Sequence, residues 1–272
     1  MSVAGPPQGA RPLWGNRRGA PIGGSPATAA RAALGVLAVL AATAAVAAEI
    51  HVLSPAAVKG PVTEIAAAFG GVTGHRVVLA FATAGQVESR VAARERVDLV
   101  VNTRPRIDAL VAKGRAGTVR DLGTVRIGVA VRAGAPRPDV SSVESFRAAL
   151  LAAESVAYTN PAAGGTAGTY FAGVIDRLGL ADAMASKRRL AADGLDVMRM
   201  VTAGEAELGI TQVSEILHAD RAALAGPLPE ALQLLTTYSV LVPADADDPA
   251  RDFAAALTTG LGRSRFKAAG FD

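Results

Sequence analysis

The chain has 272 residues, half of them apolar, with 29 glycines and no cysteine. That length can bury one large core or two α/β lobes, and the lack of thiols excludes a disulfide framework, a thiol nucleophile, a cysteine-held zinc site and a lipid-modified amino-terminal cysteine. The formal charge of +4 does not mark a nucleic-acid binder, because four of the 28 bases (Arg11, Arg17, Arg18, Arg31) and no acid precede Glu49. The remainder holds 24 bases against 24 acids, and a neutral body offers no footprint for phosphate backbones.

Residues 1–30 are rich in proline, glycine and arginine. Arg31 then precedes an acid-free apolar run, Ala32 to Ala48, that falls short of the ~20 residues needed to span a bilayer. A cationic region, a short apolar core and small residues at Val46-Ala47-Ala48 read as a secretory signal over residues 1–48, cleaved before Glu49. Export to the periplasm is the expectation. Arg17-Arg18 leaves the general and twin-arginine routes both open.

After Glu49 the pattern alternates. Glu49–Leu53 reads as a strand stopped by Ser54-Pro55. Val62, Ile65, Ala66 and Phe69 recur at helical spacing, with Pro61 tolerable in a first turn. Strands are predicted at Arg76–Phe81, Asp98–Asn102, Val125–Val131, Val156–Tyr158 and Leu208–Thr211, with a long strand-like segment at Leu232–Val242. Helices are predicted at Gly85–Ala93, Ile107–Lys113, Val143–Ala153, Gly168–Leu178, Leu195–Ala203, Arg251–Leu257 and Arg263–Ala269. Alternating strands and helices imply βαβ units on largely parallel sheets.

In open α/β sheets, ligands sit beyond the carboxyl ends of the strands, where the next helix starts. Three such junctions share one chemistry: Ser54, then Thr83-Ala84-Gly85-Gln86, then Asn160 through Thr169. They are small, hydroxyl- or amide-bearing and short of charge, and Thr211-Gln212 adds a fourth of similar kind. A glycine-rich turn such as Gly164-Gly165-Thr166-Ala167-Gly168-Thr169 presents unpaired amides and the positive end of a helix dipole to an anion. It lacks the Lys-Ser or Lys-Thr of a P-loop and the spacing of a dinucleotide turn. Individually, Ser54, Thr83, Thr166 and Thr169 are equally suited to capping helices.

The succession Ile50-His51-Val52-Leu53-Ser54, Ala82-Thr83-Ala84-Gly85-Gln86, Val97-Asp98-Leu99-Val100, Asn160-Pro161-Ala162-Ala163-Gly164-Gly165 and Gly204 through Ile210 resembles the periplasmic molybdate-type solute-binding proteins of ABC importers. The likeness runs from about Glu49 to the end and rests on the order and spacing of these segments. It implies an α/β, two-lobed type II periplasmic-binding fold, each lobe a mainly parallel sheet flanked by helices, the lobes joined by two crossing strands. The implied division is residues 49–124 and 237–272 for lobe one and 125–236 for lobe two, with crossings near Val125–Val131 and Leu234–Val242. Implied ligand contacts are Ser54, Thr83, Ala84 and Gly85 from lobe one, and Gly165, Thr166, Ala167, Gly168, Thr169 and Gln212 from lobe two. Ala57 stands where the family places a serine, and Gln212 where it places a tyrosine. The ligand class therefore spans a molybdate-like oxyanion and a small organic acid. The implied partners are that anion and a membrane ABC permease, with the protein a monomer that needs no cofactor.

An enzyme is not expected. His51, His75 and His218 show no metal-ligand spacing, no Gly-x-Ser-x-Gly elbow occurs, and nothing in the sequence brings Asp98 and Asp193 together. Asp193 and Asp196 read as flanking a helix start. A periplasmic sensory protein that signals to a receptor is the alternative use of the same fold.

Overall fold

A computed structural model describes residues 47–272. The expected signal sequence, with Trp14 and Arg17-Arg18, lies outside them except for Ala47 and Ala48.

The first half of the described chain runs β1 (Glu49–Pro55), a 3-10 turn (Ala56–Val58), α1 (Lys59–Thr73), β2 (Arg76–Ala82), α2 (Ala84–Ala92), β3 (Leu99–Thr103), α3 (Arg104–Ala112), β4 (Gly117–Val125) and β5 (Ile127–Val131). It continues with α4 (Val143–Ala152), β6 (Val156–Thr159), α5 (Thr166–Arg177), α6 (Ala181–Ala185), β7 (Arg188–Ala191), α7 (Gly194–Ala203), β8 (Leu208–Gln212), α8 (Val213–Ala219), β9 (Leu224–Pro227), β10 (Thr236–Pro243), α9 (Asp248–Thr258) and α10 (Gly260–Ala268).

Two five-stranded sheets result, ordered β2-β1-β3-β10-β4 and β7-β6-β8-β5-β9. In each, a single strand opposes the rest: β10 is antiparallel to β3 and β4, and β5 is antiparallel to β8 and β9. The expected mainly parallel, two-lobed α/β fold is thus present. The sheets exchange strands at the crossing, since β4 closes the first sheet and β5 enters the second after Arg126 alone.

Strand alternation builds a core on each face of each sheet. In the first lobe Ile50, Val52, Leu99, Val101 and Val240 face α1, α9 and α10 through Ile65, Phe69, Phe253 and Phe266. Leu53, Val100 and Leu241 face α2 and α3 through Val87, Val91 and Ile107. In the second lobe Val129, Val156, Tyr158 and Ile210 meet Phe146 and Phe171 of α4 and α5. Small residues on the opposite face, Ala130 and Ala157, admit α7 and α8 closely.

Four elements escape the sequence pattern. The predicted strand Val125–Val131 is two strands, of which β4 is a largely exposed edge whose polar residues (Thr118, Arg120, Asp121) hide its period. β7 and β9 are four-residue edge strands and α6 a single turn. The last strand begins at Thr236, not Leu232, because Glu230–Leu232 forms a 3-10 turn. Gln233 braces the crossing there, its Oε1 accepting from the Ile127 amide at 2.8 Å and its Nε2 donating to the Ile127 carbonyl at 3.1 Å.

Candidate functional site

Five strand-to-helix junctions, from both sheets, surround one cleft. It is lined by Pro55 to Ala57 after β1, Ala82 to Ala84 after β2, Thr159 after β6, Gly165 to Ala167 at the start of α5, Asp193 and Gly194 at the start of α7, Thr211, Gln212 and Glu215 around the start of α8, and Tyr238 on β10. The enclosed volume is about 30 Å³, within about 330 Å³ of empty space that includes the open mouth. That is room for a small molecule only.

Local chemistry sets each junction. Thr83 caps α2 by accepting from the Gln86 amide at 3.2 Å, and the Thr83 amide donates to Gln86 Oε1 at 3.0 Å. Asn102, buried at the end of β3, holds the first turn of α2 by donating to the Ala84 carbonyl at 3.0 Å. Asn160 caps the turn after β6, and Gly164, at φ +71°, takes the left-handed conformation that swings the chain into α5. No side chain caps α5. Its first amides therefore have no partner within the helix. The same holds for Ala56 and Ala57 at the start of the 3-10 turn, which follows Pro55 with no side-chain cap.

The lobes touch across the cleft. The Gly85 amide donates to the Gly164 carbonyl at 3.0 Å, Thr83 Oγ1 donates to the Ala163 carbonyl, and α8 packs on the 3-10 turn and on α1. This is a closed arrangement. Of the sequence-predicted contacts, Thr83, Ala84, Gly165, Thr166, Ala167 and Gln212 line the cleft. The other four do not. Ser54 is fully buried at the end of β1, with its hydroxyl 3.3 Å from the Pro55 carbonyl. Gly85 spends its amide on the opposite lobe. Gly168 is pressed onto β6, where an added Cβ lies 2.0 Å from the Thr159 carbonyl oxygen. Thr169 points to solvent one residue further round the helix.

Sequence reasoning missed Glu215 and Tyr238. Glu215 Oε2 accepts from Thr211 Oγ1 and from the Gln212 amide at 3.2 Å, so the residue closes the first turn of α8. A Cβ on Gly194 would fall 1.9 Å from Glu215 Oε2, so only glycine leaves space for this carboxyl. Burial pushes its pKa up to about 7, and the charge of Asp193 pushes the same way. Tyr238 lies on the crossing strand, its ring edge-on to Phe271. Burial holds its phenol far above its ordinary pKa, and the neighbouring Glu215 charge adds to this. Glu215 stands three residues after the N-cap Gln212, the place of the acid in a capping box, but Gln212 is not one of the usual cap residues, so the signal was weak. Tyr238 had none.

Among the described residues no lysine, arginine or histidine lines the cleft, and its ionisable groups are Asp193, Glu215 and Tyr238. Among the described residues no cluster of three or more histidines, cysteines or acids could hold a metal, and no helix is long and apolar enough to cross a membrane. Helix starts and their free amides are the groups here that favour an anion.

The chain belongs to the bacterial extracellular solute-binding proteins, whose family model matches residues 50–272. It is also 34% identical to an aconitate isomerase of Pseudomonas sp over 196 residues, 69% of this chain and 73% of that one. The periplasmic molybdate-binding protein of Azotobacter vinelandii shares the fold with a TM-score of 0.68 at 18% identity, over 82% of this chain and 98% of that one. The sulfate-binding protein SubI of Mycobacterium tuberculosis H37Rv gives a TM-score of 0.61 at 19% identity, over 82% and 86% of the two chains.

Proposed function

We propose that this is a periplasmic solute-binding protein that captures a small anion, a molybdate-like oxyanion or a small organic acid, and hands it to an ABC importer. The observation that carries this is the convergence of uncapped helix starts from both lobes, at Ala56-Ala57 and Thr166-Ala167, on one small cleft without a cation. Amides fixed by the backbone hold an anion without the entropy cost of ordering long basic side chains. The anion bridges residues 49–124 and 237–272 on one side and residues 125–236 on the other, so it stabilises only the closed form. The monomer then presents that form to the permease, and residues 1–48 serve for export and are removed before Glu49. A thermal-shift screen against oxyanions and small carboxylates tests this. A ligand at 100 times its Kd adds about 2.7 kcal/mol, or roughly 5–10 °C for a chain of this size. No shift with either panel contradicts the reading.

One observation favours a second reading, in which the cleft turns over an unsaturated polycarboxylate as the named relative does. Glu215 titrates at about 7, the value suited to a group that both takes and returns a proton. The cation-free lining weighs against holding several carboxylates at once. Incubation with cis- and trans-aconitate, followed by proton NMR, separates the readings: interconversion that Glu215→Gln abolishes supports turnover, and unchanged spectra support binding alone.

A further inference from the structure

We propose that the cleft selects an acid bearing its own hydrogen-bond donor beside the carboxylate, a hydroxy acid above all, over acceptor-only anions such as sulfate or molybdate. This rests on the anion-site reading and narrows its ligand class.

The cleft is polarised. On one side lie donors, the uncapped amides at the start of the twelve-residue α5 and at Ala56-Ala57. On the other lie acceptors, with the Tyr238 phenol beside them. Gln212 is 2% exposed, and its Oε1 has no hydrogen-bond partner among the described residues. Its Nε2 is turned towards Thr236 Oγ1 at 3.3 Å, which leaves the oxygen as the group without a partner. Buried acceptors of this kind are rarely left unmatched. Glu215 stands beside it, its Oε2 already accepting from Thr211 and the Gln212 amide. Asp193, on the same wall, accepts from the Asp196 amide at 2.9 Å.

An anion that only accepts finds partners on the first wall but leaves Gln212 Oε1 unmatched and meets the Glu215 and Asp193 oxygens on the second. A ligand with a carboxylate at one end and a hydroxyl next to it satisfies both, the hydroxyl donating to Gln212 Oε1. Sites built to pair a ligand hydroxyl reject the analogue that lacks it, because their own polar groups are then left unpaired. The small volume restricts the choice to short acids.

The test is calorimetric titration of the purified protein with matched pairs, L-malate against succinate and L-lactate against propionate, with sulfate and molybdate alongside. The expected result is at least tenfold tighter binding of the hydroxy acid in one pair, with both inorganic anions weaker still. Gln212→Met, which removes the acceptor, is expected to shrink that ratio below about threefold. Equal affinities within a pair, or tighter binding of sulfate or molybdate, overturn the proposal and leave the anion-site reading standing. So does a preference that survives both Gln212→Met and Glu215→Gln. If no acid or oxyanion binds, both fall. Should a variant fail to fold, the wild-type pairs alone decide.

Discussion

Gly85 and Gly164 face each other across the cleft, the amide of one donating to the carbonyl of the other at 3.0 Å, and a Cβ on Gly85 would lie 2.9 Å from the Gly164 Cα. The three atoms nearest that hypothetical Cβ all belong to Gly164, in the opposite lobe. A side chain at position 85 thus obstructs closure without disturbing either core. Gly85→Val is expected to weaken ligand binding about tenfold or more, from a lost hydrogen bond worth ~0.5–1.5 kcal/mol plus the steric gap. Its urea midpoint without ligand is expected to stay within the error of wild type. Calorimetry and urea unfolding of the one variant check both halves.

Gly168 is expected to behave in the opposite way. Its Cβ would strike the Thr159 carbonyl within the same lobe, so Gly168→Ala forces α5 away from β6. The loss is about 1–3 kcal/mol of stability, as for other overpacked core positions, read as a lower urea midpoint at unchanged m-value.

Glu215 gives the protein a pH signature. Its pKa is raised from 4.5 to about 7 on folding, so between those values the folded state holds a proton that the unfolded state has lost. Stability from this group is therefore fully present below pH 4.5 and lost as pH rises through about 7, on the order of 3 kcal/mol in all. Glu215→Gln keeps the shape without the titration. Wild type is expected to lose stability relative to the variant between pH 5 and pH 8; parallel curves in thermal unfolding contradict this.

Much of the cleft was legible because its junctions are made of local signals. Thr83 with Gln86 is a capping box within four residues, and Gly164-Gly165 announces a turn before a helix. What could not be read depends on partners distant in sequence. Ser54 has the chemistry of a contact, but β2 and β3 flank β1 and leave its hydroxyl only the Pro55 carbonyl. Glu215, an ordinary charge on a short helix by sequence, is buried because Gly194, 21 positions earlier, has no side chain. β4 was lost because an edge strand with one solvated face lacks an apolar run.

Export is checked through Trp14, the single tryptophan of the chain. Protein recovered after export is expected to show tyrosine emission only and an amino terminus at Glu49, by fluorescence and terminal sequencing. Retained tryptophan emission contradicts cleavage there.

The most direct measurement is amide NMR of the nitrogen-15-labelled protein, titrated with whichever anion gives the largest thermal shift. The largest perturbations are expected at Ala56, Ala57, Thr166 and Ala167, in both lobes at once and with one Kd. Perturbations confined to one lobe, or centred away from these four amides, contradict an anion held between converging helix starts.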